Sequence, residues 1–205
     1  MQAVDKTDVK SKKGYHHGDL RAQLVNATRE LVEENGPDRF SVSQACRLAG
    51  VSTAAPYRHF GDKQDMLVAV AIEGFGRLRS LMLDYAKEEP DDIVRRIGRI
   101  GMAYVHFAQA EPGVFQLMFT DHGRRDDEEA AQAGWGTYEV LLRQVAEYMG
   151  KSDIDDQVLA RAFPLWTLVH GTSFLLVDAK VKVAEKLPVS VDDMILRATK
   201  GLLEA

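Results

Sequence analysis

One cysteine, Cys46, is all this chain holds. No disulfide can form within it, and a cytoplasmic location is the expectation. Long apolar runs are also missing. The greasiest stretch, Phe163 to Val177, is broken by Pro164, Thr167, His170, Gly171, Thr172 and Ser173. It stays short of the roughly 18 residues a membrane span needs, so no membrane contact is expected. Met1 to Gly18 is polar and basic and lacks the apolar segment of an export signal. Alternation of strand period, internal repeats and low-complexity tracts are absent too. There is no His-Glu-x-x-His pair and no glycine-rich phosphate loop after a strand. An enzyme would have to use His106, His170, Asp178 or the acidic run Asp126-Asp127-Glu128-Glu129, and such runs are usually solvated loops. The expectation is therefore no catalysis, no metal and no cofactor.

Positive charge is scarce overall, the net charge being −5. Its distribution is uneven. Residues 1 to 63 hold ten Lys or Arg against eight Asp or Glu, a balance of +2, which leaves −7 for the other 142 residues. Lys6, Lys10, Lys12, Lys13 and Arg21, with His16 and His17 among them, cluster near the start. Residues 1–17 read either as a flexible basic arm that touches phosphates or a minor groove, or as a solubilising tail.

Residues 41 to 63, SVSQACRLAGVSTAAPYRHFGDK, carry the chemistry. Ser41 can cap a helix over Val42 to Ala49, with Gln44 placed to answer the cap. Gly50 supplies a left-handed stop, Val51 plugs the turn, and Ser52 can cap a second helix from Thr53 to His59. Small residues at the start of that second helix allow close approach to DNA. Thr53 and Ala55 suit base edges or thymine methyls, while Tyr57 and His59 have the length for phosphates. Lys63 opens the next helix, where its charge and the helix N-terminus favour one phosphate together. Ser41, Ser43, Gln44, Ser52, Ala54 and Arg58 complete the expected contact set.

This stretch resembles the DNA-binding domain of the tetracycline-repressor (TetR) family through Ala49, Gly50, Val51, Ser52, Tyr57, His59, Phe60 and Lys63. Cys46 stands where that family mostly has Ala, and Ala54-Ala55-Pro56 where Gly-Thr-Leu is commoner. A second resemblance links the chain to the effector domain named for its tryptophan, histidine and glycine. It rests on Tyr15 to Arg21, Tyr104 to Ala108, Glu111 to Phe115, Leu117 to Phe119, Trp166 and His170-Gly171. The resemblance implies a homodimeric repressor that leaves a palindromic double-stranded operator when an effector binds.

Helical periodicity runs through the rest. Helices are expected over Asp19–Glu34, Asp62–Lys87, Asp91–Ala110, Val114–Phe119, Asp127–Met149, Asp153–Lys180 and Ser190–Leu203. With the pair above they make about nine, an all-α fold. Residues 18–63 would form the DNA-binding head and residues 64–205 an effector-binding and dimerisation domain, joined by the long helix from Asp62.

Trp166, His170 and Phe174 recur at intervals of four and line one side of their helix. With Tyr104, Phe115, Met118, Phe119 and Trp135 they are the candidates for a pocket that takes a small apolar or aromatic effector. A plain core reading of the same residues stays open. His106 falls opposite Tyr104 and should be exposed. Between Ala162 and Val177 the helix is apolar almost all round, so a second subunit should cover part of it. Leu165, Val169, Thr172 and Leu176 are the candidate dimer contacts. A regulator whose second half binds a protein partner instead of a small molecule remains the alternative.

Overall fold

A computed structural model describes residues 20–120, 128–178 and 186–204. The basic arm of residues 1–17, together with Asp126 and Asp127, lies outside the described residues. Eight α-helices and one 3-10 turn make up the regular structure that is described. They are α1 Leu20–Asn35, α2 Val42–Ala49, the turn Pro56–Arg58, α3 Lys63–Ala86, α4 Ile93–Ala110, α5 Pro112–Phe119, α6 Glu128–Tyr148, α7 Asp156–Val177 and α8 Val191–Glu204. The fold is all-α, with no strand among the described residues.

The ninth expected helix, Thr53 to His59, does not form. Pro56 has no N–H to give to the Ser52 carbonyl, so the bond that would close the first α-turn cannot exist. Instead the Ala55 amide bonds the Ser52 carbonyl at 3.0 Å, and the His59 and Phe60 amides bond Pro56 at 2.8 and 2.9 Å. The chain passes from the α2 turn into a single 3-10 turn. Ala55 is the cap residue there and makes no side-chain cap bond, so Ser52 is not the cap.

The start and stop of α2 follow its sequence. The Ser41 amide donates to the Gln44 side-chain oxygen at 2.8 Å, and the Gln44 amide donates to the Ser41 hydroxyl at 3.3 Å. This reciprocal box satisfies two orphan amides at once. Gly50 closes the helix in the left-handed region, at φ 69°. Cys46 is fully buried, and burial pushes its thiol above the ordinary value. It fills the core.

Helix α3 is the spine. Asp62 caps it by accepting the Asp65 amide at 2.9 Å. Its inner stripe, Met66, Leu67, Val70, Phe75, Leu78 and Met82, is buried along nearly its whole length. It packs on α1 at one end and on α4, α5 and α6 beyond. One core cluster therefore runs unbroken from Leu24 and Val32 in α1, through Met66 and Leu78, to Tyr104 and Phe115. A second cluster gathers Leu141, Leu142 and Val145 of α6 with Val158, Ala162 and Leu165 of α7. Close approach decides one junction. A Cβ on Gly74 would meet Val114 at 2.7 Å and Met118 at 2.9 Å, so α5 lies almost directly on the α3 backbone.

Candidate DNA interface and effector cavity

The head exposes a polar surface at the end of α2 and along the 3-10 turn. Ser43, Ser52, Thr53, Ala54, Arg58 and His59 are exposed, and Tyr57 is 64% exposed. A tyrosine ring exposed to that degree is free to meet a partner outside the chain. Not every expected contact stays free. The side chains of Ser41 and Gln44 are spent on capping α2, and Ala55 is half-buried. Lys63 Nζ donates to the Asp38 carbonyl at 3.2 Å and lies 4.8 Å over the Phe40 ring. It ties the start of α3 to the loop before α2 and keeps donors to spare. Arg47 and Leu48, both exposed on α2, belong to the same motif and were not singled out by sequence. The basic character of Arg47 was the signal available.

Between α3, α4, α5, α6 and α7, with α8 reaching in at Thr199, lies a cavity of about 820 Å³. That is within the ordinary range for ligand sites. Of the pocket candidates, Tyr104, Met118, Phe119, Trp135 and Trp166 line it. Phe115, His170 and Phe174 do not. The Trp166-His170-Phe174 stripe continues along α7 past the end of the cavity, and its last two members pack on α5. His170 lies 4.7 Å from the Phe119 ring, and Phe174 lies 5.2 Å from the Phe115 ring. Phe115 itself is fully buried.

Much of the wall comes from residues outside the set of pocket candidates. Leu67, Ala71, Phe75 and Leu78 of α3, Ile97 and Ile100 of α4, and Tyr138 of α6 all border the space. Their helical spacing is identical for a packed face and a cavity wall. Small residues mark the opposite side: Ala130, Ala131 and Gly134 leave room where α6 crosses α3.

The polar groups of the wall are few and neutral. Tyr104 Oη and His170 Nδ1 are 2.8 Å apart. Burial drives the Tyr104 phenol well above its ordinary value, and a hydrogen bond from Trp166 opposes this less strongly. Burial also raises Tyr138, and it holds His170, which is not itself part of the wall, below its ordinary value. The Thr137 hydroxyl lies 3.1 Å from the Phe75 carbonyl and 3.0 Å from that of Ala133. No described residue lining the cavity carries a formal charge.

His106 is not the free, exposed residue expected. It is half-buried, with Nδ1 3.0 Å from Tyr85 Oη of α3 and Nε2 2.9 Å from Asp192 Oδ1 of α8. The outer side of α4, which winding assigns to solvent, is covered by α3 and α8. The α7 candidates for a dimer contact divide. Leu165 and Val169 are only 4% and 7% exposed within the single chain, so they already pack inside it. Thr172 and Leu176 are half-buried, and the open apolar residues are Phe163, Phe174 and Leu175.

A head built on a capped α2 and a turn, joined through one spine helix to a hollow helical body, matches known proteins at both ends. The model described as "Bacterial regulatory proteins, tetR family" matches residues 24–70, and "Tetracyclin repressor-like, C-terminal domain" matches residues 97–198. The chain belongs to the TetR family. The two TetR matches together take in well over half of it. It is a DNA-binding transcription regulator. A protein of unknown function from Rhodococcus sp. RHA1 superposes with TM-score 0.77 at 28% identity, over 94% of this chain and 98% of the other. A TetR-family regulator from Streptomyces coelicolor superposes with TM-score 0.69 at 16% identity, over 89% and 81%. In sequence, the nucleoid occlusion factor SlmA of Marinobacter nauticus is 24% identical over 80% of this chain and 81% of its own. TetR-family proteins bind DNA and usually dimerise. Among the described residues no helix is long and apolar enough to cross a membrane, and no group of three His, Cys, Asp or Glu could hold a metal.

Proposed function

We propose that this protein is a ligand-responsive repressor, a cytoplasmic homodimer that holds a palindromic operator and releases it when a small apolar effector fills the cavity. The observation that carries this reading is the 820 Å³ cavity, bordered by the spine helix α3 and by α5. Residues 18–63 form the head, residues 64–205 the effector and dimer domain, and residues 1–17 a basic arm. Ser43, Ser52, Thr53, Ala54, Tyr57, Arg58 and His59 face the DNA, with Arg47 and Lys63 on phosphates. Trp166 and His170-Gly171 support an effector domain of the Trp-His-Gly type.

The mechanism follows from which elements the cavity shares with the head. α5 and α3 form its wall, and both pack on α1. An effector that fits only a wider spacing of α5 from α3 shifts the heads away from the half-site separation that DNA demands. It must bind that state more tightly, since equal affinity for both states moves nothing. Across the dimer, α7 offers Phe163, Phe174 and Leu175 as an apolar face.

A second reading is favoured by the relatives named as nucleoid occlusion factors. There the helical body would bind a protein partner. Native mass spectrometry of the dimer, incubated with a panel of apolar compounds, separates the two. Stoichiometric uptake that lowers operator affinity supports the repressor; no uptake from the whole panel, with operator binding intact, favours the partner.

A further inference from the structure

We infer that the effector is an uncharged, mainly apolar molecule carrying one hydroxyl or carbonyl group, which hydrogen-bonds the hydroxyl of Thr199. This rests on the cavity being the effector site, and it narrows the chemistry of that site.

Charge is the first argument. No described residue lining the cavity is ionised, and the titratable groups on its wall, Tyr104 and Tyr138, are both pushed by burial toward their neutral forms. A carboxylate or an ammonium placed there would lose its hydration and find no counter-charge. A neutral isostere has no such cost.

The second argument is which polar groups remain free. Tyr104 is bonded to His170, Thr137 to carbonyls of α3 and α6, and Thr120 to the Gln116 carbonyl at 2.6 Å. Thr199 differs. It is only 3% exposed and lines the cavity from α8. Other buried or half-buried hydroxyls on these helices turn back onto the carbonyl one turn earlier: Thr28 onto Leu24, Thr172 onto Leu168 and Ser173 onto Val169. Thr199 makes no such bond, nor any other among the described residues. The buried side-chain polar atoms with neither partner nor accessible surface are Gln64 Oε1 and Arg99 Nε. The Thr199 oxygen is not one of them, so it keeps some accessible surface, in a residue that borders the cavity. A buried hydroxyl left unbonded is costly and is normally satisfied. A ligand hydroxyl or carbonyl at this point satisfies it.

The chain's own fluorescence reads the test. Its two tryptophans, Trp135 and Trp166, both line the cavity. The full-length protein is titrated at pH 7.5 with three ten-carbon probes, 1-decanol, decanoate and decylammonium. Displacement of the neutral dye Nile red serves as a second readout. The alcohol should bind at least tenfold tighter than either ion. Thr199→Val should weaken the alcohol by about 3-fold to 10-fold, and Thr199→Ser should restore it. Either ion binding as tightly as the alcohol overturns the charge inference and leaves the cavity as the effector site. Undiminished alcohol binding by Thr199→Val overturns the role of that hydroxyl. If neither Nile red nor any probe binds, the effector site itself is wrong and the inference falls with it.

Discussion

Glu33, near the end of α1, accepts the Val114 amide at 2.7 Å and the Gly113 amide at 3.0 Å. A residue of the head therefore caps α5, the helix that carries Leu117, Met118 and Phe119 into the cavity wall. Two amides at a helix start bonded by one carboxylate gain both the hydrogen bonds and the favourable helix dipole. The junction is tight. A Cβ on Gly113 would come within 2.6 Å of the Val32 carbonyl, so α5 can meet α1 this closely only because that position is glycine. An ion pair, Arg77 to Glu111 at 2.6 Å, fixes the same corner to α3. The corner is a direct mechanical link between ligand site and head.

Glu33→Ala should cost about 0.5–2 kcal/mol of stability through the lost cap. It should also reduce the factor by which effector weakens operator binding, while operator affinity without effector stays within about threefold. Thermal melts and operator titrations with and without effector measure the two effects. An unchanged coupling factor would remove this corner from the transmission route.

Tyr57 and Lys63 should separate. Tyr57 is 64% exposed and makes no packing contact of note, so Tyr57→Ala should lower operator affinity and leave the melting temperature alone. Lys63 also holds the Asp38 carbonyl and the Phe40 ring. Lys63→Ala should lower affinity, reduce the salt slope by about one unit, and in addition cost about 0.5–1 kcal/mol of stability. Equal melting shifts for both would contradict the placement.

The capping box of Ser41 and Gln44 and the left-handed Gly50 were legible because each depends on residues three or four apart. The same is true of α1, α3 and α4, whose apolar stripes are strong. The turn at Pro56 reads as a helix in sequence because proline is tolerated in a first helical turn; the bond it cannot give to the Ser52 carbonyl decides otherwise. The Glu33 cap could not be read at all, since its partners lie 80 and 81 residues away. The cavity was half legible. Its aromatics stood out, while Leu67, Ala71 and Leu78 look the same in sequence whether they face a neighbour or a void. His106 was misplaced for a related reason: winding gives the side of a helix but not what covers it.

The open face of α7 gives a paired prediction. Leu175 is 52% exposed, so Leu175→Glu should yield folded monomers if this face is the dimer contact. Val169 is 7% exposed and packed inside the chain, so Val169→Glu should unfold the protein. Light scattering with circular dichroism distinguishes the two results. A folded dimer from Leu175→Glu would move the interface elsewhere.

Acid should loosen the body through His170. Burial holds its imidazole below the ordinary value, so on acidification the unfolded chain gains a proton before the folded one does. The stability it contributes is whole above about pH 6.5, the ordinary histidine value, and is lost as the pH falls through the lower folded value. His170→Gln keeps an acceptor for Tyr104 and removes the titration. Between pH 7.5 and 5.5 the melting temperature of the parent protein should fall further than that of the variant; equal falls would show that His170 does not contribute.

The central claim is that filling the cavity lowers affinity for DNA. The direct measurement is fluorescence anisotropy of a labelled duplex, selected from a random pool for binding to this protein. It is titrated with and without the tightest ligand found by quenching of Trp135 and Trp166 in a panel of neutral apolar alcohols and ketones. The prediction is an operator affinity at least tenfold weaker at saturation, with ligand affinity weakened by the same factor when DNA is bound. Unchanged operator affinity with the cavity filled would contradict the account.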